Sequence, residues 1–284
     1  MLSRGSVASK GGELYKVVSI GNQCPFCYGR GFNDAHPRIL SLPMPILEAQ
    51  NVVKRYGTGD AAVAALDGVS TKVEVGEFVA IMGPSGSGKS TLLTILGGVE
   101  TPTSGKVLLE GVDMASISED ERTILRRRRL GFIFQAFNLL PNLTAEENVA
   151  LPLQLDGRRG NEVTEPVMDA LRKVEMDHRC KHRPSALSGG EQQRIAIARS
   201  LAIQPALLLA DEPTGNLDSR QSGRVIELLQ GLVRDHQQTI VMVTHDPAIA
   251  RVSSRLIEIR DGQIENDGDA NELLDARHAI TEDR

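Results

Sequence analysis

Phe78-Val79-Ala80-Ile81-Met82-Gly83-Pro84-Ser85-Gly86-Ser87-Gly88-Lys89-Ser90 is the stretch on which the reading of this chain turns. Five apolar residues without alternation predict a strand buried on both faces. The next eight match G-x-x-x-x-G-K-[ST], and Lys89 to Leu96 reads as a helix. A glycine-rich turn between a buried strand and a helix start is where a polyphosphate is cradled. Gly83, Pro84, Ser85, Gly86, Ser87 and Gly88 form a loop whose backbone N–H groups can turn inward around a β-phosphate. The unpaired N–H groups opening the helix add partial positive charge. Lys89 supplies a full charge to the β- and γ-oxygens, Ser90 offers a hydroxyl to Mg²⁺, and Thr91 lies beside it. The expected ligands are ATP and Mg²⁺. A chance glycine turn would match the motif without the strand and helix that flank it here.

Working outward, Leu207-Leu208-Leu209-Ala210 is a second fully apolar run, and it ends in Asp211-Glu212. Successive strand residues face opposite ways, so the two carboxylates can serve different tasks. Asp211 is expected to hold Mg²⁺, directly or through water, and Glu212 to reach the attacking water. Adjacent negative charge raises a carboxyl pKa, which favours Glu212 as general base. A third string, Leu187-Ser188-Gly189-Gly190-Glu191-Gln192-Gln193-Arg194, puts a serine and two glycines at a helix N-terminus. That is a second anion site, and one chain with one ATP has no obvious need of two.

The rest of the pattern alternates strands with helices. Strands are expected at Ile46–Val53, 106–109, Leu130–Phe134, Thr239–Thr244 and Arg255–Arg260. Ser118 caps an acidic helix start that runs into Arg126–Arg129. Residues 144–204 are mainly helical, a further helix spans about Ser219 to Asp235, and a short one begins at Pro247. Apolar strands alternating with helices predict an α/β fold with a parallel sheet covered by helices.

Composition sets the limits. Of 284 residues, 40% are hydrophobic and 24% charged, ordinary for a globular chain, and no apolar run is long enough to span a bilayer. Residues 1–43 hold five of the 32 Lys and Arg, two of the 37 Asp and Glu, two of the three Cys, and four of the nine aromatics. They read as a disordered extension on a domain of residues 44–284. That domain carries a net charge of −8, which argues against nucleic-acid binding and makes the local positive field at Lys89 necessary for ATP. Three cysteines cannot build a disulfide framework, so a reducing compartment is expected. The start has no apolar core of a secretory signal.

The strings around Lys89, Asp211 and Ser188 together resemble the ATP-binding-cassette (ABC) ATPases over about residues 46–265. The resemblance implies a phosphate-loop NTPase fold: a mostly parallel core sheet, an antiparallel β subdomain, and a helical signature subdomain at about 136–204. It implies a head-to-tail dimer in which Ser188, Gly189 and Gly190 contact the γ-phosphate of the ATP held by the partner. It also assigns further residues. Tyr56 would stack on adenine. Gln135 would sense Mg²⁺ and the attacking water, act in catalysis, and mark the link to a membrane partner. Gly215-Asn216-Leu217-Asp218 would form a loop where subunits touch. His245 would bond the γ-phosphate and join Glu212 and Lys89 as the catalytic set.

Narrower strings, Phe134–Pro141 followed by Leu143–Val149 and Asp211–Asp218, resemble the branch containing the lipoprotein-release, macrolide-exporter and cell-division ATPases. That branch implies a peripheral subunit on the cytoplasmic face of the inner membrane. Its partners would be permeases with few spans and a large extracytoplasmic domain, with lipoprotein release or macrolide-type export as the leading tasks. Control of an extracytoplasmic cell-wall hydrolase is the alternative, and a soluble cassette ATPase a more distant one. Three weaker signals are set aside: Cys24-x-x-Cys27, with too few ligands for zinc, as chance or translation from an upstream start, His178/Cys180/His182 as a solvated lead-in, and Arg126–Arg129 as a solvated helix end. Finally, Phe132, Phe134 and Phe137 surround Gln135, which places them at a coupling loop.

Overall fold

The computed structural model describes residues 9–10, 13–14, 44–57 and 63–282, the last few of these by backbone alone. The chain divides into two units, Met1–Ser41 and Leu42–Arg284. Within the first, β1 (Ser9–Lys10) pairs antiparallel with β2 (Glu13–Leu14). Cys24 and Cys27 lie outside the described residues.

The second unit holds two sheets. One is antiparallel, ordered β4 (Val63–Val73), β3 (Leu47–Tyr56), β6 (Ser104–Leu109), β7 (Val112–Asp113). The other has six strands in the order β12 (Gln263–Asp269), β11 (Arg255–Arg260), β5 (Phe78–Met82), β10 (Thr239–Val243), β9 (Leu207–Asp211), β8 (Leu130–Phe134). Every pairing from β11 to β8 is parallel, and β12 closes the edge antiparallel. The α/β fold class, with its antiparallel subdomain, is as expected from the sequence.

The unbroken apolar strands are explained by two cores, one on each face. Val79, Ile81, Leu207, Leu209, Val241 and Val243 pack with the antiparallel sheet and α1 (Lys89–Leu96). Leu208, Ala210, Ile240 and Met242 point the other way, among residues of α5 (Gly189–Leu201) and α6 (Ser219–His236). Adjacent residues of one strand thus feed different cores, and no polar position is left between them.

Between β8 and β9 the chain inserts α3 (Ala145–Leu155), α4 (Asn161–Lys173) and α5, which pack on one another through Val149, Leu153, Leu171 and Ile195. α2 (Glu119–Arg129) precedes β8. Ser118, Thr144 and Ser188 open α2, α3 and α5 with the same device: each hydroxyl accepts the N3 backbone N–H, and the N3 glutamate returns a bond to the cap.

One expectation needs correction here. Arg126–Arg129 is not a solvated helix end. Because the four fan around α2, each meets a different acceptor: Arg126 the Gly98 carbonyl at 2.6 Å, Arg127 the Leu155 carbonyl at 2.9 Å, Arg128 the Asp156 carboxylate at 2.9 Å, and Arg129 the Glu110 carboxylate. Asp156, only 6% exposed, also draws Arg158 at 3.4 Å. The arginines therefore tie the sheet domain to the end of α3. Phe132 is half-buried and lines a groove with Phe134 beside the Gln135 loop. It stacks on Phe134 at 5.9 Å and lies so close to Gly97 that a Cβ there would meet its ring at 2.3 Å.

Candidate functional site

Register explains how distant motifs come together. Ile81, Val243, Asp211 and Phe134 lie on one row across four parallel strands. The positions just beyond that row are where β5 enters the phosphate loop, β10 reaches Thr244-His245, β9 reaches Glu212, and β8 reaches Gln135. Ligands of open α/β sheets bind at this carboxyl edge.

The loop from Gly83 to Gly88 is shaped by close backbone approach. A Cβ on Gly83 would meet the Ile259 carbonyl oxygen at 2.0 Å, and one on Gly88 the Ala65 carbonyl oxygen at 2.3 Å. Gly88 is the N-cap of α1 with φ +102° and no side-chain cap, so the helix start keeps its N–H groups for a ligand. Lys89 is buried, and its Nζ donates to the carbonyls of Gly83 at 2.9 Å and Pro84 at 2.8 Å. The ammonium is thus curled over the loop that it would leave to meet a phosphate. Ser87 Oγ is buried without a hydrogen-bond partner among the described residues. A polar cradle with an unspent donor fits an anionic ligand.

Ser90 at the start of α1 faces Asp211 at the end of β9. Burial pushes the Asp211 carboxyl above the ordinary range and the Glu212 charge adds to this, while the Ser90 hydroxyl and the Lys89 charge oppose it. The upward push thus acts on the carboxylate expected to hold the metal. A hydroxyl and a carboxylate of raised pKa are hard oxygen donors that suit Mg²⁺.

Glu212 has φ +45°, an uncommon conformation for a side-chain-bearing residue, fixed by its N–H to the Val243 carbonyl at 3.0 Å. Nδ1 of His245 lies 3.0 Å from Glu212 Oε1. An ionised carboxylate only accepts, so Nδ1 carries the proton in this pair. In the neutral ring that is the only N–H, and a bond to phosphate requires it to leave Glu212 or the ring to gain a second proton. Both residues line a groove of about 590 Å³ that also takes in Thr214, Gly215, Ser219 and Asp246.

Gln135 comes from β8 but does not bond Ser90 or Asp211 among the described residues. Its amide donates to Asn216 Oδ1 at 3.3 Å, and Asn216 donates back to the Gln135 carbonyl at 2.9 Å. Tyr56 donates to Glu100 at 2.7 Å, with Lys54 Nζ 5.2 Å from its ring centre and 2.8 Å from Glu100. The ring is therefore held in place while 43% of the residue stays exposed. Ser188, Gly189 and Gly190 are elsewhere. The Ser188 hydroxyl is spent on Glu191 at 2.8 Å, the Ser188 N–H holds the Glu191 carboxyl below its usual range, and the glycines neighbour Leu217, Phe137 and Gln221. No hydrogen bond links them to the phosphate loop among the described residues.

Sequence reasoning missed three supports. Lys54 and Glu100 fix Tyr56. Asn216 was quoted only as part of a subunit-contact string, yet it bonds Gln135. Gln193 sits inside the Leu187–Arg194 string but had no role, because a single glutamine on a helix gives no signal until its neighbours are known. His178, Cys180 and His182 form no metal-ligand cluster among the described residues. The Cys180 and His182 carbonyls instead accept from the first N–H groups of α3.

With the phosphate loop, the strand-end acid pair and His245 on one sheet edge, the fold is that of a P-loop nucleotide-binding enzyme with a helical insert. A family profile described as ABC transporter matches residues 66–215. An uncharacterized ABC transporter ATP-binding protein of Methanocaldococcus jannaschii is 49% identical over 219 residues, 77% of this chain and 97% of that one. The macrolide export ATP-binding/permease protein MacB of Brucella abortus is 47% identical over 225 residues, 78% of this chain but 34% of its own length. Among solved structures, the dimeric post-hydrolysis state of the ATP-binding cassette MJ0796, bound to ADP and Pi, is similar with TM-score 0.71 and 42% identity over 79% of this chain and 98% of that one. This chain belongs to the ABC transporter ATP-binding family and is an ABC-type ATPase. It spans about a third of the MacB relative, so that protein's whole activity does not transfer by similarity.

Proposed function

We propose that this chain is the motor subunit of an inner-membrane transporter of the macrolide-export or lipoprotein-release type, working as a homodimer around two ATP molecules. The observation that carries the hydrolytic part is the Glu212–His245 pair at 3.0 Å, placed on adjacent strands beside the phosphate loop. Glu212 accepts a proton from the attacking water. His245 orients Glu212 and, once its proton is released or a second is gained, holds the γ-phosphate. Lys89 leaves the Gly83 and Pro84 carbonyls for the β- and γ-oxygens, where its charge stabilises the transferring phosphoryl group. Ser90 and Asp211 would hold Mg²⁺, which when bound would supply charge neutralisation at the phosphates, and Gln135 would sense it. Tyr56 offers its exposed face to adenine, and Ser188, Gly189 and Gly190 serve the partner's ATP.

Glu212→Gln tests this directly. It should retain ATP binding, lose about 10²–10⁴-fold in kcat as expected for a general base, and accumulate as an ATP-bound dimer on size exclusion. Hydrolysis near the wild-type rate refutes the assignment.

The membrane partner is supported by a groove of about 690 Å³ beside the Gln135 loop, lined by Val99, Phe134, Leu151, Pro152, Leu155 and Ile203. Phe134 is 40% and Leu155 66% exposed there, an apolar patch suited to a cytoplasmic helix of a permease. No helix among the described residues is long and apolar enough to cross a membrane. Affinity capture from detergent-solubilised membranes should recover a few-span permease with a large extracytoplasmic domain. Recovery of only ribosomes or nucleic acid rejects the reading. The neighbouring hydrolase-control task is separated by the identity of that permease's extracytoplasmic partner.

A further inference from the structure

α5 grips the loops of the proposed hydrolytic site from behind. Gln193, one turn into the helix, is completely buried. Its single amide nitrogen donates to the Pro213 carbonyl at 2.6 Å and, more weakly, to the Phe134 carbonyl at 3.4 Å. The Phe134 carbonyl belongs to the peptide group that leads into Gln135, and the Pro213 carbonyl lies one residue past Glu212. Farther along α5, Arg199 donates to the Phe137 carbonyl at 2.9 Å, two residues beyond Gln135. Phe137 and the next residue, Asn138, are both in the left-handed region, at φ +54° and +52°, a bend that needs outside support.

A buried amide is an expensive way to fill space. Gln193 Oε1 has no partner among the described residues, and buried acceptors are normally satisfied. An apolar side chain of the same length would fill the position without that penalty. What it could not do is hold the Phe134 carbonyl of β8 and the Pro213 carbonyl of the turn after β9 with one donor group. The second clasp between the same loops, Gln135 with Asn216 at 3.3 and 2.9 Å, lies at the exposed surface.

We propose that Gln193 is a positioning residue for hydrolysis, joining the helix that carries Ser188–Gly190 to the peptide before Gln135 and the backbone just after Glu212. Movement of α5 when its N-terminus meets the partner's nucleotide is thereby delivered to the chain's own Glu212. The proposal rests on the reading of Glu212 and Ser188–Gly190 given above.

The test uses the full chain with Gln193→Met, which keeps side-chain length and removes the donor. ATP affinity and KM should stay within about twofold of wild type, while kcat falls tenfold or more. Unchanged kcat, whatever the melting temperature, overturns the proposal, as does a loss confined to KM. Should Gln193→Met not fold, Gln193→Glu replaces it. Its protonated carboxyl can again donate to the Pro213 carbonyl, so its kcat should recover relative to wild type as pH falls from 8 to 6. Parallel pH profiles overturn the proposal. Glu212→Gln is run beside them: if it hydrolyses at the wild-type rate, the underlying site reading fails. If it is dead while Gln193→Met is fully active, only the positioning role is rejected.

Discussion

Replacing Gly88 by alanine puts two separable costs on the phosphate loop. The first is conformational. At φ +102° a Cβ is strained, by about 1–2 kcal/mol for a left-handed non-glycine residue. The second is a collision. The new Cβ would sit 2.3 Å from the Ala65 carbonyl oxygen and 3.0 Å from Leu66 Cδ2, both on β4. The first contact is backbone on backbone, so relief requires α1 and β4 to part, and such overpacking costs about 1–3 kcal/mol more. Gly86→Ala isolates the first cost. It also has positive φ, at +81°, but its Cβ would meet nothing within 4 Å. Gly88→Ala should therefore melt below Gly86→Ala by several degrees, at about 2–4 °C per kcal/mol for a chain of this size. Parting α1 from β4 also displaces the N–H groups of Lys89, Ser90 and Thr91. ATP affinity, read with a fluorescent analogue, should fall at least about tenfold, as expected when oriented phosphate contacts worth ~1.4 kcal/mol are lost. Equal melting temperatures for the two variants, or wild-type ATP affinity in Gly88→Ala, would refute the close-approach argument.

Two further outcomes follow from the electrostatics. The Asp211 carboxyl is raised by burial and by Glu212, so the fold favours its protonated form. That contribution is fully present below the ordinary value of about 3.9 and is lost as pH rises through the higher folded value. Across that window the nucleotide-free wild type should lose stability relative to Asp211→Asn, which in turn should lose Mg²⁺-dependent hydrolysis; parallel stability curves in a pH series of thermal melts contradict this. Asp156→Ala releases Arg127, Arg128 and Arg158. These arginines are a third to nearly half exposed and return to water, so the expected loss is about 1 kcal/mol, smaller in 1 M salt by urea unfolding. A salt-independent loss would point to packing instead.

Much of the site was legible because its parts are local. The phosphate loop, the acid pair after β9 and the capped start of α5 each need only a few consecutive residues with a strand or helix beside them. The two apolar runs at 78–82 and 207–210 announced a doubly covered sheet for the same reason. Arg126–Arg129 was misread because solvation was judged from the helix alone, while the acceptors lie at positions 98, 110, 155 and 156.

The sequence by itself determined the chemistry: which residues can bind a polyphosphate, offer oxygen ligands, or take a proton. Local backbone conformation and side-chain identity suffice for that. Only the tertiary structure decided who works with whom. The parallel register sets Ile81, Val243, Asp211 and Phe134 in one row and so brings His245 to Glu212. The packing of α5 buries Gln193 against the carbonyls of Phe134 on β8 and Pro213 in the turn after β9. The same packing leaves Ser188–Gly190 apart from the chain's own phosphate loop. These pairings join residues 20 to 160 positions apart, and hydrogen bonds over such separations form only once the hydrophobic cores have fixed the strands side by side.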